Sequence, residues 1–583
     1  MVAGQAEKSR WGRVPELRTD SDHDAVLVSD ARHVLVSAPP GTGKTCLSVR
    51  VAAKWAAQLS HGERVLLLTF SNQARSQLER EAALRLPGSL RNRVEITNYH
   101  RFFWQGVSAY RRALGLPMEI DIGSRARREV ALNLGPDRAR LGGTNGVVES
   151  IAEHRFPEFQ DARTPAPDLL ERLLLAVHRE QIAGRLVFDD LGALFWSLLT
   201  RYPVVDRAYR DRYPVVIADE HQDASALQDA IARRLGDRRL TVFADDMQLI
   251  HEFRGASRTR LQRHAADCGQ QLSLSTPHRW HGREPVARWL LAVRERLAGR
   301  DAACPKPPEC DLRITPAQRG LNGAKPFIRA AVARAFTNGA SSVAVLVRDN
   351  DRASEFQAYL CRESQYPRQI GTQDFEEARH DIEQLPLFQD RRAFAQHALD
   401  RVSALVPTLS AAVVDQVRRR ITATGTNPRG AGPEAARLLG AFDSVFADGA
   451  GRFFNAVATA LDACRASGHH LPRVEAARAI QRTADRLAGS PADLARALAE
   501  YSAAVLTLTH GAPRHGHGLF VMTAHQSKGK EFDAVVLADA SARFWPDDDE
   551  SRRLFYVVVT RATRFWTIIA PDLGGSPLLG FVR

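Results

Sequence analysis

Short apolar runs, each ending in polar residues, recur along the first part of the chain. Strand patterns of this kind lie at 33–36, 64–70, 94–97, 215–218 and 240–244. Helical spacing of apolar residues follows the first run, at 46–59, and a second helix is expected to start near residue 73. Strands and helices in alternation predict a parallel sheet, whose ligands bind at the carboxyl ends of the strands.

The same alternation returns later in the chain, from about residue 272. Strand patterns lie there at 342–348, 519–524, 534–538 and 566–570. Two Arg-rich stretches of helical pattern interrupt the alternation. The sequence therefore predicts an α/β protein with two parallel-sheet domains, each carrying an inserted helical subdomain. The expected boundaries are 1–102 and 187–271 for the first sheet domain, 103–186 for its insertion, 272–375 and 511–583 for the second sheet domain, and 376–510 for the second insertion.

The turn between the first strand and the first helix carries the strongest chemical signal. Residues 37–45 have the sequence Ser-Ala-Pro-Pro-Gly-Thr-Gly-Lys-Thr, a phosphate-loop pattern with Ala38 at its first glycine position. The glycines let backbone N–H groups surround phosphates, Lys44 supplies a cation, and the Thr45 hydroxyl suits Mg²⁺. A purely structural turn is the alternative, and the flanking strand and helix disfavour it. The expected nucleotide-binding residues here are Ala38, Gly41, Thr42, Gly43, Lys44, Thr45 and Cys46.

Two adjacent carboxylates follow the apolar run at 215–218. In an ATPase one acid holds Mg²⁺, here Asp219, and the next, Glu220, orients and deprotonates the attacking water. An Asp-Glu pair alone is common in surface loops, but its place downstream of a phosphate loop favours catalysis. Gln248, after the next strand, is a candidate sensor of the γ-phosphate.

Charge and hydropathy limit the partners and the compartment. The net charge of +13 favours a polyanionic partner such as nucleic acid, although Arg-rich chains are often basic for other reasons. No run of eighteen apolar residues and no apolar N-terminal segment occurs, so we expect a cytoplasmic protein without membrane contact.

The order of motifs along the chain resembles the UvrD/Rep family of superfamily 1 helicases. The segments that carry the resemblance are Thr-Phe-Ser-Asn-Gln-Ala at 69–74, Asn-Tyr-His-Arg-Phe at 98–102, Phe-Asp-Asp-Leu at 188–191, Asp-Glu-His-Gln-Asp at 219–223, Asp-Asp-Met-Gln at 245–248, Phe-Arg-Gly-Ala at 253–256, Pro-His-Arg at 277–279, His-Gln-Ser-Lys-Gly-Lys-Glu-Phe-Asp at 525–533, and 552–562. No single motif decides the matter; the ordered set does.

The resemblance implies two RecA-like domains with ATP bound between them. The catalytic residues that it implies are Lys44, Asp219, Glu220, Gln248, Arg279 and Arg561. Thr45 and Asp219 would hold Mg²⁺, and Glu531 resembles the acid that contacts the ribose. Arg561 would act as an arginine finger, because its planar fork of donors stabilises charge on the transferring phosphoryl group.

The resemblance also implies single-stranded DNA, or the single-stranded tail of a duplex, lying across both domains. Aromatic side chains would stack on bases and polar or basic groups would hold phosphates. The positions carried over are Phe70, Tyr99, His100, Phe253, Arg254 and His525. Movement from 3′ to 5′ is the family precedent, and the residues themselves give no direction.

Several positions depart from the family pattern. The glutamine that reads adenine falls near Asp22, and His278 replaces the tyrosine that stacks on it. His221 stands at the aromatic position of the Asp-Glu motif, and Phe253 replaces a base-stacking tryptophan. The second insertion, 376–510, is short and different, which leaves the biological role and a protein partner docking there open.

Three functions remain after these observations. The first is a DNA-dependent ATPase that unwinds duplex DNA in repair, recombination or replication restart. The second is the ATPase subunit of an anti-phage defence or nuclease complex, suggested by the short insertion and by the end of the chain soon after the last motif. The third is a nucleotide-switched DNA-binding module without hydrolysis, which the presence of Glu220, Gln248 and Arg561 disfavours.

Overall fold

The computed structural model describes most of the chain. The described residues are 20–123, 132, 151–160, 164–252, 255–303, 312–317, 321–361, 391–406, 408–424, 426–444, 452–469, 518–571 and 575–582. The predicted DNA-binding residues Phe253 and Arg254 lie outside these ranges, as does much of the second predicted insertion. Within them, no helix combines the length and the apolar character that crossing a membrane requires.

The strands are mostly short and apolar. They are β1 (His33–Ser37), β2 (Val65–Thr69), β3 (Val94–Asn98), β4 (Asp121–Ile122), β5 (Arg185–Leu186), β6 (Val215–Ala218), β7 (Leu240–Ala244), β8 (Gln270–Ser273), β9 (Leu312–Ala317), β10 (Ser342–Val347), β11 (Gly518–Thr523), β12 (Phe532–Leu537) and β13 (Ala562–Pro571).

Most of the helices cover the two larger sheets that these strands form, and the others form separate groups. They are α1 (Ser21–Val28), α2 (Lys44–Ala56), α3 (Asn72–Arg85), α4 (Gly88–Arg91), α5 (Tyr99–Ala109), α6 (Pro167–Ile182), α7 (Phe188–Arg201), α8 (Pro203–Arg212), α9 (Ala226–Leu235), α10 (Arg258–Asp267), α11 (Glu284–Leu297), α12 (Leu321–Thr337), α13 (Asn350–Cys361), α14 (Arg391–Leu405), α15 (Ala411–Thr424), α16 (Pro433–Ser444), α17 (Arg452–Ala466) and α18 (Asp549–Val559).

The first sheet is parallel and has the strand order β3-β2-β6-β7-β1-β8. Side chains alternate between its two faces: Leu66 packs in a core with α5, α7 and α9, whereas Leu67 packs in a core with α2 and α3. Because both faces are covered by helices, the central strands β2, β6, β7 and β1 are largely apolar, as the sequence pattern predicted. β8 completes this sheet and crosses the boundary expected at residue 272.

The second sheet is also parallel, with the order β11-β10-β12-β13-β9. Helices α12 and α13 cover one face, and α11 and α18 cover the other. Met247 and Ile250, which follow β7 of the first sheet, belong to the core of this second sheet. The carboxyl end of β7 is thereby held against the second sheet, and this contact positions the site described below.

Helices outside the two sheets form smaller groups. Strands β4 and β5 make a short parallel pair at the two ends of the region that contains α6. Helices α14 to α17 pack against one another. The break predicted at 424–433 is confirmed, because α15 ends at Thr424 and α16 begins at Pro433.

Candidate functional site

The turn between β1 and α2 forms a tight cradle that only glycine can line. Gly41 and Gly43 have φ angles of +82° and +80°, a region that other L-residues rarely adopt. A Cβ at Gly41 would lie 2.9 Å from the Cβ of Arg279 and 2.9 Å from the Trp280 ring. The Thr42 hydroxyl donates to the Pro39 carbonyl at 2.8 Å, which closes the turn. Helix α2 begins at Lys44, so its free N–H groups and positive dipole end lie at the cradle.

Lys44 and the Asp-Glu pair meet beside this cradle. The Lys44 Nζ lies 2.6 Å from Glu220 Oε1, and both residues follow strands that lie close together in the first sheet. Burial alone would lower the pKa of Lys44, but Glu220 and Asp219 raise it above its ordinary value. Burial likewise opposes ionisation of Glu220, yet Lys44 and Lys528 lower its pKa to about 2. Glu220 is therefore a carboxylate at neutral pH.

Asp219 differs from its neighbour in the surroundings of one carboxylate oxygen. It is 2% exposed at the end of β6, and its Oδ1 is buried without a hydrogen-bond partner among the described residues. Burial raises the pKa of Asp219 to about 7, although Lys44 opposes the rise. A buried, unsatisfied carboxylate oxygen suits a hard cation with oxygen ligands, and the Thr45 hydroxyl on the first turn of α2 is a further oxygen of that kind. The residues present therefore fit Mg²⁺ and phosphate groups.

The backbone at Glu220 is strained. Its φ of 54° is the positive φ of a non-glycine residue, and no other described non-glycine residue has one. The 3₁₀ turn His221–Asp223 follows directly, and the Gln222 amide donates to Glu220 Oε2 at 2.6 Å. Such a conformation costs about 1–3 kcal/mol and persists only where surrounding contacts enforce it. The strain aims the carboxylate at Lys44 and the cradle.

Gln248 and Arg561 join the two sheets across this site. The Gln248 amide donates to Asp245 Oδ2 at 2.9 Å, and its oxygen accepts from Arg561 Nη2 at 3.5 Å. Arg561 is 2% exposed, and its Nη1 donates to the Lys530 carbonyl at 3.2 Å. Burial and the nearby Arg279 lower the pKa of Arg561 to about 10, so it stays charged at neutral pH.

Arg279 and Glu531 lie at the open side of the cradle. The Arg279 guanidinium is ion-paired with Glu531 and donates to the Thr560 carbonyl at 3.0 Å, while its backbone N–H donates to the Gly41 carbonyl at 3.1 Å. Arg279 therefore links the phosphate loop directly to the second sheet. Cys46 points elsewhere: its thiol neighbours Arg85 and Glu81 of α3, and burial raises its pKa to about 11.

Two cations that the sequence analysis did not select also hold the sheets together here. The Lys528 Nζ lies 2.5 Å from Asp223 Oδ2 and 2.5 Å from the Gln248 carbonyl. Arg294, on α11, donates to Asp245 Oδ1 at 3.1 Å and to Asp246 Oδ1 at 2.7 Å. Lys528 lies within the motif at 525–533, and that motif was a signal from which it could have been selected. Arg294 lies on an ordinary amphipathic helix, and nothing near it in the sequence marks it.

The predicted DNA-binding residues fall into two groups. Phe70 stacks on His251 with ring centres 6.0 Å apart, and His251 lies 6.4 Å from His525 of the second sheet. His525 also lines a cleft of about 420 Å³ between the sheets. This aromatic row (Phe70, His251 and His525) includes His251, which the sequence analysis left out because a histidine in a loop has no distinctive signal.

Tyr99 and His100 do not belong to the aromatic row. Tyr99 is 1% exposed, and its hydroxyl lies 3.0 Å from His221 Nδ1. Burial raises the pKa of the Tyr99 phenol. In this structure Tyr99 is a core residue that cannot stack on a base. His100 is half-buried, with its ring edge-on to Phe188 at 5.8 Å.

A phosphate loop, an Asp-Glu pair and an arginine from a second parallel sheet define the class of two-sheet phosphate-loop proteins. Comparison with known families places the chain within that class. Residues 19–269 match the UvrD/REP helicase N-terminal domain, and residues 518–568 match the UvrD-like helicase C-terminal domain. The chain belongs to the UvrD/Rep family.

Individual relatives cover part of the chain. The "ATP-dependent DNA helicase UvrD1" of Mycobacterium tuberculosis is 25% identical over 299 residues, which are 47% of this chain and 39% of that protein. The "DNA helicase II" of Escherichia coli is 24% identical over 264 residues, 42% of this chain and 36% of that protein. The match thus spans less than two fifths of the length of these curated relatives.

Proposed function

We propose that this protein hydrolyses ATP to move along single-stranded DNA, 3′ to 5′, and to unwind tailed duplexes in DNA repair, recombination or replication restart. The observation that carries the proposal is the meeting of Lys44 and Glu220 from the first sheet with Arg561 from the second. The relatives, which are named as DNA helicases, support the same activity.

The ion pair between Lys44 and Glu220 suggests how the site responds to its substrate. The phosphates of ATP would take Lys44 as their partner, because the cradle and the start of α2 attract anions. Glu220 would then be free to accept a proton from the attacking water. Because Lys44 lowers the pKa of Glu220, loss of that contact would raise this pKa and make the carboxylate a stronger base. Mg²⁺, held by Thr45 and Asp219, would supply charge neutralisation at the phosphates.

The arginines of the second sheet would complete the site. Arg561 would donate to the γ-phosphate, and Gln248, already in contact with it, would report the presence of that phosphate to the second sheet. Arg279, whose backbone N–H bonds the Gly41 carbonyl, would reach the phosphates from beside the phosphate loop, and Glu531, its present partner, would become available to the ribose. Closure on ATP and opening after hydrolysis would move the strand.

For DNA we propose that the aromatic row provides the stacking surface. Phe70 and His251 follow strands of the first sheet, and His525 follows a strand of the second. A change in the distance between the sheets would therefore change the contacts of a base bound to this row. Stacking is independent of sequence, as a translocating enzyme needs. The net charge of +13 adds a non-specific attraction for the backbone.

We also propose that 1–102 with 187–273, and 274–375 with 511–583, are the two RecA-like domains, with the boundary moved from residue 271 to the end of β8 because that strand belongs to the first sheet. Segments 103–186 and 376–510 would be their inserted subdomains, and 376–510 would be the surface for a protein partner. The short β4–β5 pair, which joins the two ends of the region around α6, supports the first insertion. The packing of helices α14 to α17 on one another supports the second.

The test is ATP hydrolysis by the purified protein with and without single-stranded DNA, beside Lys44→Ala, followed by strand displacement on 3′- and 5′-tailed duplexes. We expect hydrolysis that DNA stimulates, none in Lys44→Ala, and unwinding of the 3′-tailed duplex. Absence of hydrolysis would contradict the proposal. DNA-stimulated hydrolysis without unwinding would retain the ATPase and point to a translocase that needs a partner.

A further inference from the structure

Two imidazoles and a carboxylate lie close together beside the turn that carries Glu220. The site described above gives these three groups no role. His221 is the residue after Glu220, Asp229 lies on α9, and His264 lies on α10; all three are buried. The His221 Nε2 lies 2.8 Å from Asp229 Oδ1, and the His264 Nδ1 lies 3.6 Å from the same oxygen. One ligand atom from each residue falls within 4.8 Å of the other two.

The ring nitrogen that His264 contributes to this cluster is unsatisfied. This Nδ1 is buried, has no hydrogen-bond partner among the described residues, and is aimed at Asp229 Oδ1 from beyond hydrogen-bond length. A buried, unsatisfied ring nitrogen is costly. A small cavity at the same place is lined by all three residues, together with Ser257 and Arg260.

We propose that His221, Asp229 and His264 bind one Zn²⁺ ion. Two imidazole nitrogens and one carboxylate oxygen form a donor set that Zn²⁺ commonly takes, with a fourth position left for water. A water ligand would occupy the cavity beside Ser257. The ion would give the His264 Nδ1 a full partner, and it would replace the direct contact between His221 and Asp229.

The surroundings of the cluster resemble the supporting contacts of a metal site. The other ring nitrogen of His221 lies 3.0 Å from the Tyr99 hydroxyl, which fixes the ring orientation. Arg233 Nε donates to both oxygens of Asp229, to Oδ2 at 3.1 Å and to Oδ1 at 3.4 Å, and this contact fixes the carboxylate with Oδ1 near both imidazoles. Contacts of this kind orient ligands and are typical around bound metals.

A metal here would stabilise the turn that carries Glu220 without contacting the nucleotide site. It would tie helices α9 and α10 to the residue that follows Glu220, and thereby hold the strained backbone that aims the Glu220 carboxylate. This site is separate from the predicted Mg²⁺ site at Thr45 and Asp219. Zinc binding therefore does not depend on nucleotide, and its test does not depend on ATP hydrolysis.

A second group of potential ligands provides an internal control. Asp20, His23 and His278 also lie within ligand distance of one another. That group also contains a buried ring nitrogen without a hydrogen-bond partner among the described residues, the His278 Nε2, which lies 3.2 Å from Asp20. The His23 Nε2, however, already donates to the Thr42 carbonyl at 2.8 Å, which engages that nitrogen with the phosphate loop. We assign no metal to it, and His278→Ala should leave zinc binding unchanged.

The experiment is a zinc titration of the full chain, stripped of metal and free of nucleotide, in competition with a chromogenic chelator. We expect one tight equivalent in the wild type and in His278→Ala, and affinity at least ~10-fold weaker in His264→Ala and in His221→Phe. Co²⁺ in place of Zn²⁺ should give the intense visible absorption of a four-coordinate site in the wild type and in His278→Ala, and not in the other two variants.

The outcomes distinguish a zinc site from a hydrogen-bonded cluster. Equal zinc affinity in the wild type, His264→Ala and His221→Phe would overturn the assignment, and so would loss of binding in His278→Ala alone. Zinc should also raise the melting temperature of the wild type and leave that of His221→Phe unchanged. His221→Phe places the family's aromatic type at this position and so gives a second variant if His264→Ala does not fold.

Discussion

Glu220 has a positive φ angle and a carboxyl pKa below its ordinary value, and both follow from the turn in which it lies. The turn that forces its φ to 54° also brings its carboxylate within 2.6 Å of Lys44, and that contact lowers its pKa to about 2. Strain at a residue of this kind commonly marks a functional position. Replacing one carboxylate oxygen of Glu220 therefore tests whether this side chain is the general base.

Glu220→Gln keeps the size of the side chain and removes its ability to accept a proton. We expect ATP binding to persist and steady-state turnover to fall by at least ~10²-fold, because general-base catalysis contributes about that much. Binding is measured with a fluorescent ATP analogue and turnover by phosphate release. Glu79→Gln, at an exposed position on α3, is the matched control and should turn over normally. Wild-type turnover in Glu220→Gln would remove the base assignment.

For single residues, the sequence could predict which side chains take part in the site, but not how deeply each is buried or which distant residues it contacts. Lys44, Asp219 and Glu220 are recognisable because each directly follows a strand or loop with a local pattern. Tyr99 matched a motif equally well, yet it packs in the core with its hydroxyl on His221, a residue 122 positions away. Burial that depends on such distant contacts leaves no mark in the local sequence.

Among the elements, the phosphate loop leaves no room for a side chain at Gly41. An alanine at Gly41 would carry two costs: a positive φ, worth about 1–2 kcal/mol, and a Cβ 2.9 Å from Arg279 and Trp280. Gly62 has a φ of +89°, but a Cβ added there would meet nothing within 4 Å, so Gly62→Ala carries the first cost alone. Comparing Gly41→Ala with Gly62→Ala therefore distinguishes the cost of backbone strain from the cost of the steric contact.

We expect Gly41→Ala to lose most nucleotide binding and hydrolysis, and Gly62→Ala to retain both with a small loss of stability. Nucleotide titration and thermal melting of the two variants check this expectation. Equal effects in both variants would mean that the approach of Arg279 and Trp280 to the loop is unimportant for the site.

The aromatic row joins two elements, the end of β2 and the 3₁₀ turn His525–Ser527. Phe70→Ala should spare basal hydrolysis and weaken single-stranded DNA binding by about 1–3 kcal/mol, the value of one stacked base. Fluorescence anisotropy and DNA-stimulated hydrolysis measure the two effects. Phe327→Ala, at an exposed position of α12, is the control. Unchanged stimulation in Phe70→Ala would show that bases stack elsewhere.

Elements with a strong local pattern were predicted well. The strands β1, β2, β6, β7, β10 and β12 are short apolar runs, and their type and place follow from burial on both faces. β8 is half-buried at the sheet edge with the polar sequence Gln-Gln-Leu-Ser, so its pairing with β1 was not predicted. β9 was missed as well, since its run Leu-Arg-Ile-Thr-Pro-Ala contains Arg and Pro.

For the whole molecule, the contact between the two sheets depends on buried charge. Arg294 lies on α11, which packs on the second sheet, and it is paired with Asp245, which follows β7 of the first sheet and is fully buried. Removing a partner from a buried pair leaves an uncompensated charge and typically costs about 3–5 kcal/mol.

Arg294→Met should therefore lower the stability of the contact between the sheets by about that amount, and Arg288→Met, at an exposed position of the same helix, should change it little. Urea unfolding followed by tryptophan fluorescence measures the difference. Because Asp245 also holds Gln248, hydrolysis should fall in Arg294→Met while binding of nucleotide is largely kept. Identical unfolding midpoints for the two variants would contradict this role.

The ion pairs at the phosphate loop have one more consequence for the molecule as a whole. Lys44 is paired with Glu220 and Arg279 with Glu531, so two carboxylates occupy the cations that the proposed function assigns to phosphates. Under that proposal nucleotide binding would be an exchange of anions, and its affinity would be the difference between two similar interactions. The same carboxylates would also compete with the bound product, and would thereby favour its release.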